Sequence, residues 1–521
     1  MSFYFSLRNI NRFFKLIKIF LFKNFSKKVF LKIFIFTLLL FIFLFIYFSS
    51  LWTQETFRKL NIEEVLFSLY LPLENVEQKL VDSFKEKSLF LNIKITLICF
   101  LMIFISFKNY HRKFFKYLNR FLVFLLLVLG IFSFYKFYNV FRVGDIVKLY
   151  FSDSKYIEEN YVDPRDVKIV FPKKKKNLIH IYLESIENSY FSKELGGAYD
   201  DNLIPELGDL LKEGVSFSNT TLNGGPIQME GTGCSVAAFV AMQAGIPLKA
   251  PLRNYGEQET FLPGVITLND ILKTKGYNTT FICGSNGNFM GKGQFFKSHE
   301  VDRVIDLNYA RNNKFISSNY RVWWGYEDDK LYEFAKNEVL RLHSLGKPFS
   351  LVIETADTHG REGYLSKYAQ RKYDNQYMNV ISYSSRLVYD FVNWVKNQDF
   401  YKDTVIVING DHLFQYGGLE INKWFPENYT RTVYNVFLNS EKQAYNSKNR
   451  LFTPFDFFPS VLASLGVKIQ ADRLGLGTNL FANRKTLLER DGFDTFNYEL
   501  TLNSNFYHEK FIKKTGKESS K

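Results

Sequence analysis

Three apolar stretches within the first 141 residues, at 33–52, 89–107 and 121–141, constrain this chain more than any other feature. Each is close to the roughly 20 residues that a helix needs to cross a hydrocarbon core about 30 Å thick. They predict a helical membrane domain over residues 1–141 with three transmembrane helices. Asn92 and Lys94 in the second stretch and Lys136 in the third lie toward the ends, where a long stem carries a charge to the interface. The first stretch is too long for the apolar core of a cleaved signal peptide, and no small-residue cleavage site follows it.

Charge sets the orientation. Residues 1–28 carry seven basic and no acidic side chains, and the connection 108–120 holds Lys108, Arg112, Lys113, Lys116 and Arg120 with no acid. The connection 53–88 is mixed and slightly acidic. Basic loops stay in the cytoplasm, so three crossings of the cytoplasmic (inner) membrane put everything after Phe141 outside, on the periplasmic side. The segment 14–22, with Lys15 and Lys18 among aromatics, reads as an interfacial helix rather than a fourth crossing. The formal net charge of +15 therefore points to a membrane partner and not to nucleic acid. Three cysteines exclude a disulfide framework; Cys99 lies in an apolar stretch, so only Cys234 and Cys283 could pair.

Residues 142–176 are polar, contain Pro164 and Pro172 and end in a lysine run at 173–176, which reads as a linker. From Asn177 short apolar runs alternate with longer helical patterns, which predicts an α/β domain over 177–485, a mainly parallel sheet with helices on both faces. Residues 486–521 read as a polar C-terminal extension.

Four strand-like runs end in residues able to do chemistry. The run 178–183 leads into Glu184, 279–283 into Gly284-Ser285-Asn286-Gly287, 349–353 into Glu354-Thr355-Ala356-Asp357-Thr358-His359, and 404–408 into Asn409-Gly410-Asp411-His412. Ligands bind beyond the carboxyl ends of strands in an open parallel sheet, so these tails can converge on one site. Asp411 and His412 offer adjacent oxygen and nitrogen ligands for a divalent metal, or else an exposed turn. A carboxylate directly after a buried strand, as at Glu184, costs free energy unless it is paired or metal-bound.

The segment Gly231-Thr232-Gly233-Cys234-Ser235 precedes a helical pattern at 236–243. Its glycines allow close backbone approach, and a helix N-terminus meets phosphate with unpaired N–H groups. Thr232 is placed to be a nucleophile once a cation stabilises its alkoxide, with an N-cap as the alternative reading, and Ser235 is a rival nucleophile on the same logic. Trp324 is read as a substrate-pocket aromatic or a core residue.

With these motifs in order, the chain resembles the phosphoglycerol transferase I-like and lipoteichoic acid synthase-like branch of the alkaline phosphatase and sulfatase superfamily. The resemblance rests on residues 177–185, on 230–243 leading into Gly245-Ile246-Pro247-Leu248, on Gly291-Lys292-Gly293-Gln294-Phe295 with His299, on Trp324-Gly325, on Asp357-Thr358-His359 and on Asp411-His412. It continues through Asp456-Phe457-Phe458-Pro459-Ser460, Leu465-Gly466 and 475–481. It implies metal ligation by Glu184, Thr232, Asp411 and His412, and a covalent intermediate on Thr232. His359 would face the transferred head group, protonating the leaving alcohol or activating the acceptor. Lys292 falls where lipoteichoic acid synthase has a phosphate-contacting arginine, and Met290 where it has a tryptophan.

The activity so implied is transfer of a phosphoglycerol head group from a phospholipid, phosphatidylglycerol, to an acceptor glycan such as a periplasmic glucan. One divalent metal is implied; Mn or Zn suits the ligand set and Mg is admissible. Phosphoethanolamine transfer to a glycan or lipid A is the alternative within the superfamily, and an inactive membrane scaffold or polysaccharide-binding protein the alternative outside enzymology. A sulfatase proper needs Cys or Ser followed by x-P-S-R, which Cys234-Ser235-Val236-Ala237-Ala238 lacks.

Overall fold

The computed structural model describes residues 27–57, 60, 78–108, 112–249, 260–416, 425 and 429–513, so the segment 14–22 lies outside it. The chain forms two compact units, one holding the N-terminal helices and the other everything from Asp145 on.

In the first unit, α1 (Lys27–Thr56), α2 (Gln78–Phe107) and α3 (Lys113–Val140) are each long and apolar enough to cross a membrane. Each extends beyond its predicted segment at the N-terminal end. In α3 the first turns, Lys113 to Arg120, look like a basic loop in sequence yet are helical. At the border of a bilayer the backbone keeps its own hydrogen bonds while basic stems reach outward.

The helices are inside-out relative to a soluble bundle. Phe34, Leu97, Leu101, Phe124 and Ile131 are more than half exposed, whereas Ser50, Ser88, Asn92, Ser106 and Ser133 are fully buried. Asn92 does not reach the interface as its position suggested. Its amide donates to the Phe41 carbonyl at 3.1 Å and its Oδ1 accepts from Thr96 at 3.1 Å. Ser106 donates to Asn119 at 3.0 Å, and Ser49 and Ser88 share a bond of 2.9 Å. Gly130 lets α1 approach, since a Cβ there would sit 2.8 Å from the Phe43 ring. With lipid as solvent, small and polar residues bind helices together and apolar ones face outward.

The second unit is built on a six-stranded sheet: β1 (Asn177–Leu183), β2 (Asn278–Cys283), β3 (Arg303–Ile305), β4 (Phe349–Glu354), β5 (Thr404–Gly410) and β6 (Asn435–Leu438), in the order β3-β2-β4-β1-β5-β6. All neighbours are parallel except β6, which runs antiparallel to β5. The four predicted runs are β1, β2, β4 and β5. The edge strands β3 and β6 are too short to announce themselves by periodicity.

Strand β1 is buried along its whole length and alternates between two cores. Leu178 and Tyr182 pack on one face with helix α5 (Ser235–Ala244), while Ile179, Ile181 and Leu183 pack on the other with α6 (Asp328–Ser344) and α7 (Gln376–Lys396). A seven-residue strand covered on both sides shows no polar face, which is why it reads as a continuous apolar run.

Two predicted boundaries need correction. The linker 142–176 is structured: Val143–Phe151 form helix α4, Ile157 is buried, and Ile169–Val170 pairs with Lys468–Ile469. The extension assigned to 486–521 is not a solvated tail where it is described. Helices α8 (Leu487–Asp491) and α9 (Phe493–Thr501) bury Leu487, Leu488, Phe496 and Leu500 in the same core as α5. Tyr507 and Phe511 follow them in. Short apolar pairs set in polar sequence carry little periodic signal, and only the surface they cover reveals them.

Candidate active site

Register brings the carboxylates together. Leu183 of β1 pairs with Gly410 of β5, so the next residues, Glu184 and Asp411, leave the sheet side by side. The Asp411 N–H donates to the Leu183 carbonyl at 3.1 Å. Gly410 has no room for a side chain, because a Cβ would lie 2.0 Å from the Ile186 carbonyl oxygen. Ser185 adopts φ 54°, a left-handed conformation unusual outside glycine, and this kink turns its N–H to Asp411 Oδ1 at 2.9 Å and its hydroxyl to Glu184 Oε1 at 2.7 Å.

Glu184, Asp411 and His412 present ligand atoms within 4.8 Å of one another, all buried. His412 Nδ1 lies 3.0 Å from the Leu413 carbonyl, which can only accept, so Nδ1 carries the proton. Nε2 faces Glu184 Oε1 and Asp411 Oδ2, each at 3.4 Å, and in the neutral imidazole its lone pair makes a third ligand atom. Asp411 Oδ2 is buried and accepts no hydrogen bond, and burial raises the Asp411 carboxyl pKa against the pull of His412. Acceptors facing one another in a dry pocket are unfavourable by themselves and are what a divalent cation requires. The residues present therefore fit a metal.

Of the two hydroxyls in the glycine-rich run, Ser235 and not Thr232 reaches this trio. Ser235 opens α5, and its Oγ donates to Glu184 Oε2 at 3.1 Å. Thr232 is fully buried and its hydroxyl is engaged by a local turn: it donates to the Met229 carbonyl at 2.8 Å and accepts from the Met229 N–H at 3.0 Å. The expectation that Thr232 supplies the hydroxyl is corrected on that ground. Cys234 is the N-cap of α5, and Cys99, Cys234 and Cys283 form no disulfide.

Behind the trio lies a second charged layer. Lys292 and Glu354, both buried, form an ion pair of 2.7 Å. Burial would depress the Lys292 pKa, but Glu354 carries it above the ordinary value; burial raises the Glu354 carboxyl, with Lys292 opposing. The lysine expected to contact phosphate is thus committed to a carboxylate. Its Nζ also sits 4.9 Å from the Trp324 ring, which stacks on His359 at 3.9 Å and 17°. Burial next to Lys292 and His412 pushes the His359 pKa down to about 4 against the pull of Glu184, so the imidazole is neutral at ordinary pH. Trp324 is 8% exposed, and its ring packs flat against the His359 imidazole.

Several positioning groups carry no local sequence signal. Glu187 accepts from Arg431 Nε at 2.8 Å and from the Phe414 N–H at 2.8 Å, holding the segment after His412 across 227 positions of chain. Gln228 accepts from the Leu413 N–H at 2.8 Å, and Gln415 donates to the Gly233 carbonyl, tying the loop before α5 to the loop after β5. Glu354, by contrast, had the same signal as Glu184, a carboxylate directly after a buried strand.

The sulfatase family matches residues 176–467. Phosphoglycerol transferase I from Salmonella typhimurium and from Salmonella newport are each 38% identical over 333 residues, covering 62% of this chain and 38% of theirs. The chain thus spans well under half the length of these relatives. Among solved structures, a protein in the alkaline phosphatase superfamily from Vibrio parahaemolyticus is 25% identical with a TM-score of 0.45, covering 57% of this chain and 67% of its own. The lipoteichoic acid synthase LtaP from Listeria monocytogenes is 16% identical with a TM-score of 0.48, over 63% and 81%. The integral membrane lipooligosaccharide phosphoethanolamine transferase A of Neisseria meningitidis is 13% identical with a TM-score of 0.47, over 83% and 84%. The family match takes in more than half of the chain, including β1 to β6 and every residue from Glu184 to His412 that builds the site, and the chain therefore belongs to the sulfatase family.

Proposed function

We propose that this chain is a membrane-anchored, metal-dependent transferase that moves a phosphoglycerol head group from phosphatidylglycerol to an acceptor glycan, through a covalent intermediate on Ser235. The observation that carries this reading is the Ser235 hydroxyl on Glu184 within a buried Glu184–Asp411–His412 trio. Similarity to phosphoglycerol transferase I supports the choice of head group. The three apolar helices support a donor drawn from the membrane that anchors the enzyme, with the second unit outside the cytoplasmic membrane.

Glu184, Asp411 and His412 would hold the cation, Mn or Zn, with Mg admissible. When bound, it neutralises phosphate charge and favours ionisation of the neighbouring hydroxyl. The opening N–H groups of α5 face the same phosphate, as helix N-termini do. Ser235 Oγ bonds to phosphorus as the bond from phosphorus to the diacylglycerol oxygen breaks, and the hydroxyl proton ends on that departing oxygen. In the second step an acceptor hydroxyl gives its proton to neutral His359 and its oxygen displaces Ser235 from phosphorus; His359 then returns the proton to Ser235. The depressed His359 pKa leaves the imidazole unprotonated when the acceptor arrives. Lys292 holds Glu354 ionised and supports the Trp324–His359 stack rather than gripping phosphate itself.

The test is mass spectrometry of the full-length protein after incubation with phosphatidylglycerol and Mn or Zn. The adduct is expected on Ser235, lost in Ser235→Ala and retained in Thr232→Ala. An adduct on Thr232 would return the nucleophile role to that residue, a phosphoethanolamine adduct from phosphatidylethanolamine alone would change the donor, and no adduct with any phospholipid would sink the transferase reading.

A further inference from the structure

The loop that delivers Ser235 is held from outside the family match. Helix α9 and the turns after it lie beyond residue 467, yet they reach the chain on both sides of α5. Ahead of α5, Asn497 Oδ1 of α9 accepts from the Glu230 N–H at 2.9 Å. Behind it, Lys249 is 1% exposed and its Nζ donates to the carbonyls of Leu500 at 2.7 Å and Leu502 at 2.6 Å. The Lys249 N–H donates to the Tyr507 hydroxyl at 3.4 Å.

These two anchors are joined directly. The Leu248 N–H donates to the Gly231 carbonyl at 2.9 Å, and Gly231 sits at φ 76° with so little space that a Cβ would meet Pro247 Cβ at 2.6 Å. Residues 230 and 231 are therefore pressed between α9 on one side and Pro247-Leu248 on the other, five and four positions ahead of Ser235. Burying an ammonium is unfavourable, and here it is met by carbonyls at the C-terminal end of α9, the negative pole of that helix. The same helix is zipped to the segment leaving the membrane helices: the Ser154 hydroxyl donates to Glu499 at 2.5 Å, and Ser154 and Asn503 exchange backbone bonds with Asn503 and Ser152 at 2.8 Å.

We propose that Asn497 and Lys249 are positioning residues for the nucleophile, and that α9 is a brace setting where Ser235 stands relative to phosphorus. The inference rests on the reading of Ser235 as nucleophile. The brace touches the loop ahead of α5 and not the strand ends that carry Glu184 and Asp411, so it acts on attack and leaves metal binding alone. A misplacement of about 1 Å can slow a reaction by roughly a hundredfold.

The experiment is the single-turnover rate of adduct formation on Ser235, measured with full-length protein in phosphatidylglycerol nanodiscs. Asn497 is half-buried on a surface helix, so Asn497→Ala leaves the fold standing. It is expected to slow adduct formation about tenfold or more. The KM for lipid, the bound metal and the Tm are expected to stay at wild-type values. Asn497→Asp keeps the accepting oxygen and is expected to restore the rate. Lys249→Met, which keeps the stem and removes the charge, is expected to show the same loss of rate. An unchanged rate in Asn497→Ala, or a loss that tracks metal or Tm and is not rescued by Asp, would overturn the brace. Wild-type protein that forms no adduct on Ser235 would instead overturn the nucleophile reading, and the brace with it.

Discussion

At the scale of single residues, the chemistry of this chain is a matter of which polar atoms are buried without water. Thr232 and Ser235 are three positions apart in one glycine-rich run, and sequence logic serves both equally. A turn decides between them, because the Met229 backbone absorbs the threonine hydroxyl while Ser235 opens the helix toward Glu184. A second buried pair gives a pH dependence. Asp328 Oδ1 and Oδ2 accept from the N–H groups of Ala356 and Asp357, and Asp357 accepts from the Asp328 N–H at 3.2 Å. Burial raises the Asp328 carboxyl to about 7, with the neighbouring acids adding to the shift. A folded carboxyl with a raised pKa binds its proton more tightly than the unfolded chain does, so its contribution favours folding at acid pH and fades as pH climbs from about 4 to about 7. Asp328→Asn removes that proton uptake, so Tm is expected to fall less steeply over this interval than in the wild type. Parallel Tm curves for the two proteins would show that Asp328 is ionised throughout.

At the scale of elements, the ends of strands matter more than their middles. The four apolar runs could be recognised because each is long enough to be a buried strand, and the chemistry after them because acid and imidazole follow directly. The pairing of Leu183 with Gly410 turns two such ends into one site. Gly410→Ala places a Cβ 2.0 Å from the Ile186 carbonyl, and backbone there cannot move aside without shifting Asp411. The expected loss is about 3 kcal/mol, at the upper end of overpacking, together with reduced bound metal. Denaturant titration and metal analysis of the purified variant check both; wild-type values for midpoint and metal would show that the strand end yields freely. The membrane helices follow the same logic in reverse. Asn92 and Ser106 bond across helix contacts inside the unit, so polarity that looked tolerated in sequence is structural.

At the scale of the whole molecule, the proposed orientation, with the second unit outside the cytoplasmic membrane, rests on the basic flanks at 1–28 and 108–120 and on three helices long and apolar enough to cross. A reporter that is active only outside, fused after Lys521, is expected to be active, and one that matures only in the cytoplasm is expected to stay dark. The opposite pattern would reverse the topology. The sequence by itself determined the three long apolar helices and the parallel α/β class, and it singled out Glu184, Asp411 and His412, because hydrophobic period and buried charge are local properties. It misjudged the linker and the C-terminal extension, whose short apolar pairs gain meaning only from the core they cover. Only the tertiary structure decided which hydroxyl meets the carboxylates, what Lys292 pairs with and what holds the loop before α5. Those contacts join residues tens to hundreds of positions apart, and the geometry that selects one partner over another exists only after the sheet has set its register.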